Sequence, residues 1–306
     1  RVLWTSHDGS EVLDVWDRRL LEAIDKAAAW IDLQGLITHF RDHGYQALGQ
    51  DELTASARSV ALCITTKNRL WQLRRALPLN LLHCWPHRRW TTIHIVDFGS
   101  TDETMEWIMS RCRAAIDAGL LKVYYTDRQP FWHASIAKNT AHMVATEDIV
   151  VNLDGDNLIG PNFPVDVVNR FVQDGYSVLQ YEDGDGTCGR IACSRGDFVR
   201  IRGYDEDAYP MGAQDVDLVH RLKELPNARF KKVRGSVHSQ AIQNTQEAKV
   251  ASCSPYYGRL KWSQMDAMNR SVFAQRRLKG HVVRNVTLES IGVKAWLIPG
   301  SDEPHS

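Results

Sequence analysis

The sequence has no long apolar segment, no excess of either charge and no cysteine pairs at the spacing of metal ligands. No apolar run approaches the ~20 residues that a membrane-spanning helix needs, so we expect no membrane span in this chain. The 37 basic side chains balance the 37 acidic ones, so bulk charge indicates neither a nucleic-acid nor a membrane partner. The six cysteines show no paired spacing of the kind that holds zinc.

The cysteines and the glycosylation triplets favour different compartments. Cys63 falls in a predicted strand and Cys112 in a predicted helix, where free buried thiols are ordinary, and this favours the cytoplasm. Asn269-Arg-Ser and Asn285-Val-Thr match the triplet for asparagine glycosylation, which favours a secretory location such as the lumenal part of an anchored enzyme. The compartment therefore stays open.

Two phosphate-binding loops are also missing. The chain has no Gly-x-Gly-x-x-Gly motif and no Walker loop. A dinucleotide-binding dehydrogenase and a P-loop NTPase both hold phosphate through these loops, so neither class is favoured.

From Arg58 onward, β-branched apolar runs alternate with helical patterns. This alternation predicts an α/β fold with a mostly parallel sheet flanked by helices, because strands joined through helices pair in parallel. The predicted strands are 59–65, 92–97, 121–125 and 149–153, followed by a strand pair at 177–181 and 187–193 and a strand at 229–237.

The segments on either side of this domain are predicted to be helical. Apolar residues at helical spacing between Leu13 and Ile31 predict a surface helix in an N-terminal extension over residues 1–57. The α/β domain then covers 58–240, and a C-terminal helical segment with a tail covers 241–306. Within this C-terminal segment, residues 255–278 alternate between aromatic and basic side chains. This pattern fits a helix that faces phosphate, although a solvated amphipathic helix is the favoured interpretation.

Two carboxylates follow the fourth predicted strand. Asp154-Gly155-Asp156 comes directly after the buried run that ends at Leu153. Ligands of open α/β sheets bind at the carboxyl ends of strands, where two carboxylates would repel each other unless a cation joins them. Hard oxygen ligands suit Mg²⁺ or Mn²⁺ bridging a diphosphate. The alternative is a simple polar turn, since Asp and Gly are common turn residues.

Polar residues also end the first two strands. Thr65 to Arg69 forms a strand-to-helix turn whose free backbone N–H groups suit a phosphate or a base carbonyl. Asp97 ends the second strand, where it could accept hydrogen bonds from a base or ribose. Ser100 or Asp102 is expected to cap the following helix, which does not exclude a role for Asp97.

Six stretches together resemble the family 2 type of GT-A glycosyltransferase, over about 59–238. They are Ile64-Thr-Thr-Lys-Asn-Arg69, Val96-Asp-Phe-Gly-Ser-Thr-Asp-Glu-Thr104, Ser135-Ile-Ala-Lys-Asn-Thr-Ala141, Val151-Asn-Leu-Asp-Gly-Asp156, Cys193-Ser-Arg-Gly-Asp-Phe-Val-Arg-Ile-Arg-Gly-Tyr-Asp-Glu206 and Gly212-Ala-Gln-Asp-Val-Asp-Leu218. Each stretch alone is a weak signal, but six in the order of the family are a strong one. The resemblance implies the GT-A fold, a Rossmann-like α/β fold.

The resemblance implies roles for the residues around the nucleotide. Asp156 is similar to the direct Mn²⁺ ligand of the DxD motif, and Asp154 would hold the ribose or a water of the metal. Lys138 and Asn139 occupy the family position beside the nucleotide. Nucleotide contacts are implied for three further residues, Thr65, Arg69 and Asp97.

The resemblance also places a general base. Gly212-Ala-Gln-Asp215 is similar to the Gly-Gly-Glu-Asp loop that contacts the acceptor in the family. The similarity implies that Asp215 is the general base, with Asp217 as the second candidate. Gln214 stands where the family has Glu, which puts acceptor contacts there in doubt. Asp215 could instead cap the next helix. His238 falls where related enzymes place a further metal ligand, although a lone histidine is as often structural.

These roles imply metal-dependent, inverting transfer of a sugar from a nucleotide-sugar donor, with UDP-sugar favoured, to an acceptor hydroxyl. Mn²⁺ or Mg²⁺ would neutralise the departing diphosphate, and one displacement would invert the anomeric centre. Two other classes stay open. One is a nucleotidyltransferase acting on a sugar phosphate, and the other is a non-catalytic module that binds a nucleotide or carbohydrate.

Overall fold

The computed structural model describes residues 58–182, 186–234, 240–257, 259–279 and 283, together with four short strands outside these ranges. The strands of the α/β domain and of its C-terminal segment are β1 (Val60–Thr66), β2 (Thr91–Asp97), β3 (Leu121–Tyr125), β4 (Ile149–Asn152), β5 (Asn157–Leu158), β6 (Val178–Tyr181), β7 (Ile191–Ser194), β8 (Phe230–Val233), β9 (Gln240–Ala241) and β10 (Lys294–Ala295). The helices are α1 (Leu70–Cys84), α2 (Thr104–Arg111), α3 (Arg113–Asp117), α4 (Ala134–Val144), α5 (Phe163–Val172), α6 (Arg195–Arg200), α7 (Gln214–Lys223), α8 (Gln246–Val250) and α9 (Trp262–Leu278), with short 3-10 helices at Trp85–His87 and Pro255–Tyr257.

Eight of these strands form one sheet, in the order β8-β6-β7-β4-β1-β2-β3-β10. The four strands predicted first pair in parallel, with β1 between β4 and β2, and β3 beyond β2. The predicted pair β6 and β7 is antiparallel, and β7 also runs antiparallel to β4. The prediction of a mostly parallel α/β sheet is confirmed.

The core lies on both faces of this sheet. Every residue of β1 and of β4 is buried, because these central strands are covered on both sides. Side chains alternate between the faces, so Leu62 packs in one cluster with leucines of α1, and Cys63 packs in the other with alanines of α4. The carboxyl ends of β1 and β4 are therefore held rigidly next to each other.

The chain on either side of the domain is described only in part. Leu3–Thr5, Val12–Asp14 and Gln46–Ala47 form a separate antiparallel sheet, so the chain is extended at 12–14, where the N-terminal helix was predicted to begin. The rest of that helix lies outside the described residues. At the other end, β10 pairs with β3 within the predicted tail. Within the described ranges, no helix has the length and apolar character needed to cross a bilayer.

Candidate active site

A cavity of about 230 Å³ opens at the carboxyl ends of β1 and β4. Thr65 reaches it from the end of β1, and Asp154 and Asp156 reach it from the turn that follows β4. Lys138 from α4 and Asp215 from α7 complete this part of its wall. The cavity thus lies where the open-sheet rule places ligands, and this part of its wall brings together residues from four separate parts of the chain.

A lysine links two of the carboxylates in this cavity. Lys138 Nζ lies 2.8 Å from Asp215 Oδ1 and 3.2 Å from Asp154 Oδ1, and the lysine side chain is only 4% exposed. Burial is the largest single effect on Asp154 and opposes its ionisation, but the charge of Lys138 and the hydrogen bonds from Asn152 and Lys138 together lower the pKa of this carboxyl. For Asp215, burial is the larger effect and raises the pKa despite the attraction of Lys138. The two carboxyls therefore differ in proton affinity.

Gly189 forms the wall beside these three groups. A Cβ atom at this position would lie 2.9 Å from Asp154 Oδ2, 3.0 Å from Asp215 Oδ2 and 3.2 Å from Lys138 Nζ. The Gly189 carbonyl accepts a hydrogen bond of 2.8 Å from Asn152 Nδ2, which fixes the backbone here. The cluster of charges can form because residue 189 has no side chain.

Asp156 accepts hydrogen bonds from two asparagines, and no lysine or arginine in the described part of the chain bonds to it. Asn157 Nδ2 donates to its Oδ1 (2.7 Å), and Asn244 Nδ2 donates to its Oδ2 (2.5 Å). Burial and the adjacent charge of Asp154 raise the pKa of Asp156 to about 6. Each carboxylate oxygen retains a second lone pair for another ligand.

The residues present fit a divalent cation. Asp154 and Asp156 are hard oxygen donors on the cavity wall, and a cation would relieve the repulsion that raises the pKa of Asp156. No cluster of three or more His, Cys, Asp or Glu ligands occurs in the described ranges. Mg²⁺ is commonly held by one or two carboxylates together with substrate phosphates. His238 lies outside the described residues, so its role as a ligand stays a prediction.

Asn244 was not identified from the sequence. Its Oδ1 accepts from Gln72 Nε2 (2.5 Å) and from Arg69 Nη1 (3.2 Å), which directs its Nδ2 towards Asp156. Arg69 also donates to the backbone carbonyl of Ala248, in α8. Arg69, predicted to contact a nucleotide, thus lines the cavity and joins α1 to the C-terminal segment.

Asp97 does not reach the cavity wall. It is fully buried at the end of β2 and accepts hydrogen bonds from the backbone N–H and the hydroxyl of Ser100. The prediction that Ser100 or Asp102 caps the next helix is wrong, because α2 begins after Glu103 without a side-chain cap. Asp102 Oδ2 instead accepts from the backbone N–H of Leu70 (2.9 Å), since the two strand-end loops lie side by side. The Asp97 loop supports the turn after β1.

Asn139 is buried behind the cavity and is not part of its wall. Its Oδ1 accepts from Tyr204 N (2.7 Å), and its Nδ2 donates to Tyr204 O (2.9 Å) and to Glu206 (2.7 Å). All its polar atoms are therefore used to hold the loop that begins at Gly203. This geometry gives Asn139 a positioning role for the loop before α7.

The structure separates the two aspartates proposed for the base. Ala213 occupies the N-cap position of α7 and has a φ of +59°, so Asp215 lies inside the first turn and is not the cap. Asp217 points away from the cavity wall and pairs with Arg221 (2.7 Å) and Arg277 (3.8 Å). Gln214 lies on the cavity wall, and its Oε1 has no hydrogen-bond partner among the described residues. Only Asp215 of the two aspartates faces the cavity.

One face of α9 completes the cavity wall. Trp262, Asp266 and Arg270 line it at a spacing of four residues. The helix is amphipathic as predicted, with Met265, Asn269 and Phe273 buried, but Trp262, Asp266 and Arg270 also line the cavity. The i, i+4, i+8 spacing of these residues was the available sequence signal. Trp132 also lines the cavity, and its ring packs edge to face on Phe98 at 6.0 Å.

The neighbouring face of α9 holds the loop before α7. Asn269 is fully buried; its Nδ2 donates to the carbonyls of Gly212 (2.7 Å), Met211 (3.1 Å) and Tyr209 (3.1 Å), and its Oδ1 accepts from Tyr209 N (2.8 Å). Gly212, at a φ of +91°, packs so closely on α9 that a Cβ would lie 2.5 Å from Asp266 Cα. Asn269 is therefore a loop anchor in the folded protein, although its triplet matches a glycosylation site.

Comparison of structures finds the same fold in solved proteins. A mannosyltransferase from Pyrobaculum calidifontis, solved with GDP-Man and Mn²⁺, matches with a TM-score of 0.56 at 18% identity, over 85% of this chain and 76% of that one. Residues 1–349 of S. aureus TarS, solved with UDP-GlcNAc, match with a TM-score of 0.53 at 15% identity, over 76% of this chain and 77% of that one. Against the longer S. aureus TarS structure, at a TM-score of 0.50, the match spans 46% of that chain. No family model and no curated protein sequence matches this chain.

Fold and site define an α/β protein with a charged cavity at the carboxyl ends of its parallel strands. Its fold is the GT-A fold of glycosyltransferases.

Proposed function

We propose that this protein is a metal-dependent glycosyltransferase that moves a sugar from a nucleotide-sugar donor to an acceptor hydroxyl. The observation that carries the proposal is the convergence of Asp154, Asp156 and Asp215 on one cavity of a GT-A fold. A module that only binds nucleotides has no need of a third carboxylate with a raised pKa facing the metal-binding pair.

Asp154 and Asp156 would hold Mn²⁺ or Mg²⁺, which when bound neutralises the charge that builds on a departing diphosphate. Thr65 and Arg69 line the same end of the cavity and would contact the nucleotide. The solved neighbours carry GDP-Man in one case and UDP-GlcNAc in the other, so both hexosyl and N-acetylhexosaminyl donors belong in a test, with UDP-sugars first.

Asp215 would act as general base. Its raised pKa favours proton uptake from an acceptor hydroxyl as that oxygen attacks the anomeric carbon. Lys138 bonds to Asp215 at 2.8 Å and keeps the buried carboxylate ionised before the acceptor arrives. A single displacement of this kind inverts the configuration of the sugar.

A panel of UDP- and GDP-sugars, screened by thermal shift with Mn²⁺, tests the proposal, since a bound ligand stabilises the native state by mass action. Turnover of the best donor is then measured with Mn²⁺ and with EDTA, and the product configuration is read by NMR. Full activity in EDTA or retained configuration would refute the proposed mechanism. Release of pyrophosphate from a nucleoside triphosphate such as UTP, with a sugar phosphate as co-substrate, would identify a nucleotidyltransferase. Binding of donors without turnover on any acceptor would identify a binding module.

A further inference from the structure

Arg190 is the largest fully buried side chain in the described part of the protein, with 0% exposure. It precedes β7 and lies behind the Asp154 turn, and it is not part of the cavity wall. Its Nη2 donates to Asn157 Oδ1 (2.8 Å) and to the carbonyl of Gln240 (3.0 Å), whereas its Nε and Nη1 have no partner within the described residues. Burying a guanidinium is costly, and an apolar side chain would fill the same volume at lower cost. This residue therefore requires an explanation beyond packing.

Asn157 connects Arg190 to the cavity. This asparagine is fully buried, and its Nδ2 donates to Asp156 Oδ1 (2.7 Å) and to the carbonyl of Gly186 (3.1 Å). Because Arg190 can only donate, it fixes the Oδ1 of Asn157 on its own side. The side-chain amide nitrogen of Asn157 must then face Asp156. Arg190 thereby sets the plane of the Asp156 carboxylate without touching it.

The charge of Arg190 also acts on the two carboxylates of the Asp154-Gly155-Asp156 turn. Burial lowers the pKa of Arg190 to about 10, and the nearby charges of Asp154 and Asp156 oppose this, so the guanidinium is charged at neutral pH. It thus attracts both carboxylates from the buried side, while the cavity leaves their other side open to a ligand.

We propose that Arg190 is a positioning residue for the metal-binding carboxylates, which orients Asp156 through the side-chain amide of Asn157. The inference rests on the proposed function, because it assigns a role toward the divalent cation held by Asp154 and Asp156. Neither Arg190 nor Asn157 would touch the substrate. Groups that orient metal ligands typically account for a 10–100-fold effect on metal affinity.

The test measures Mn²⁺ binding directly, by the electron paramagnetic resonance signal of free Mn²⁺ titrated with protein in the presence of UDP. We expect Arg190→Met and Asn157→Ala each to weaken Mn²⁺ binding by about tenfold or more. Arg190→Lys keeps the charge and one donor, so part of the affinity should return. The matched control is Asn80→Ala. Asn80 is also buried in this network, but among the described residues its side chain bonds to the backbone alone, at the Asn157 carbonyl (2.9 Å) and the Ile159 N–H (3.0 Å).

Asn80→Ala should lower the melting temperature and leave Mn²⁺ affinity within about twofold of wild type, because it leaves both side chains of the relay intact. Arg190→Met and Asn157→Ala variants that behave like Asn80→Ala would make Arg190 a structural residue and overturn the proposal. Should Arg190→Met fail to fold, Asn157→Ala decides the question alone. A wild-type protein that binds no Mn²⁺ with UDP or GDP would overturn the proposed function, and this role of Arg190 with it.

Discussion

Lys138 and Asp215 form a buried ion pair of 2.8 Å across the cavity, and the same ammonium lies 3.2 Å from Asp154. The lysine comes from α4 and the two aspartates from the turn after β4 and from α7, so the pairing joins both halves of the domain. A single cation between two carboxylates allows both to be ionised at a short separation. This relationship determines how the variants of the site should behave.

Asp215→Asn should lower transfer by at least about a hundredfold, because the amide cannot take a proton from the acceptor. Donor affinity should stay within a few-fold of wild type, since a base acts in the transition state and not in donor binding. Initial rates and calorimetric titration with UDP measure the two quantities. The matched control is Asp217→Asn, which loses the pairs with Arg221 and Arg277 and should lower the melting temperature while keeping most of kcat. Near-normal turnover by Asp215→Asn would place the base elsewhere.

Lys138→Met should move the acidic limb of the kcat/KM profile to higher pH. The charge of Lys138 lowers the pKa of Asp215, so its removal lets burial and the charge of Asp154 raise that pKa further. A base with a higher pKa is protonated over more of the pH range, and the loss of activity should be larger at pH 6 than at pH 8. Lys232→Met, which removes a partner of Glu182 outside the cavity, serves as the control. Equal losses at both pH values would contradict this prediction.

Asp156→Asn should abolish Mn²⁺-dependent binding of UDP, measured by calorimetry.

In the metal-free protein, Asp156→Asn should also change how the free energy of unfolding depends on pH. The pKa of Asp156 is about 6 in the folded state and about 3.9 in an unfolded chain, so the folded state binds the extra proton between these values. The stability contributed by this proton is lost as pH rises from about 4 to about 6. Urea unfolding in EDTA should therefore show wild type losing stability relative to Asp156→Asn over this window, and parallel curves would refute it.

Gly189→Ala should inactivate the protein with little change in melting temperature. The added Cβ would meet Asp154, Asp215 and Lys138 at 2.9 to 3.2 Å, so the charged groups must move apart. Gly196→Ala is the matched control, because a Cβ there meets only Ser194 Oγ at 3.9 Å in α6. Comparing the turnover rates and melting temperatures of Gly189→Ala and Gly196→Ala separates a local clash from the general effect of replacing glycine by alanine. Full activity of Gly189→Ala would show that the cluster tolerates displacement.

Asn269→Ala should destabilise the protein by about 1–3 kcal/mol, because it leaves buried backbone groups of the loop at 209–212 without partners. Urea unfolding measures this loss. The same burial predicts that Asn269 carries no glycan when the protein is produced in a secretory host. Mass spectrometry of the peptide that contains Asn269 checks the second expectation, and a glycosylated Asn269 in folded protein would contradict the structure.

The sequence predicted the fold and the placement of the central carboxylates. Alternation of buried strands and helices is a local pattern, and it predicted the parallel pairing of the first four strands and the later pair β6 and β7. The order of the strands in the sheet was not predicted. Asp154-Gly-Asp156 was placed at a strand end by the run that precedes it. Capping was predicted wrongly for Asp102, because its partner Leu70 lies 32 residues away and belongs to a different helix.

Other parts of the site depend on contacts that have no local signature. Asn244 bonds to Asp156 across 88 residues, and Asn269 holds Gly212 across 57. Neither asparagine stands in a pattern that distinguishes it from surface asparagines. For α9, the i, i+4, i+8 set of Trp262, Asp266 and Arg270 was visible, but the sequence did not show that this face would be turned towards the cavity.

The sequence by itself determined which strands are buried and which residues follow their ends, because both depend on side-chain period and on turn chemistry within a few residues. The tertiary structure decided which of those residues meet. The pairing of Lys138 with Asp215 spans 77 residues, and that of Arg190 with Asn157 spans 33. Hydrogen bonds require donors and acceptors within about 3 Å and in the right direction, and only the packing of helices and loops against the sheet sets those directions.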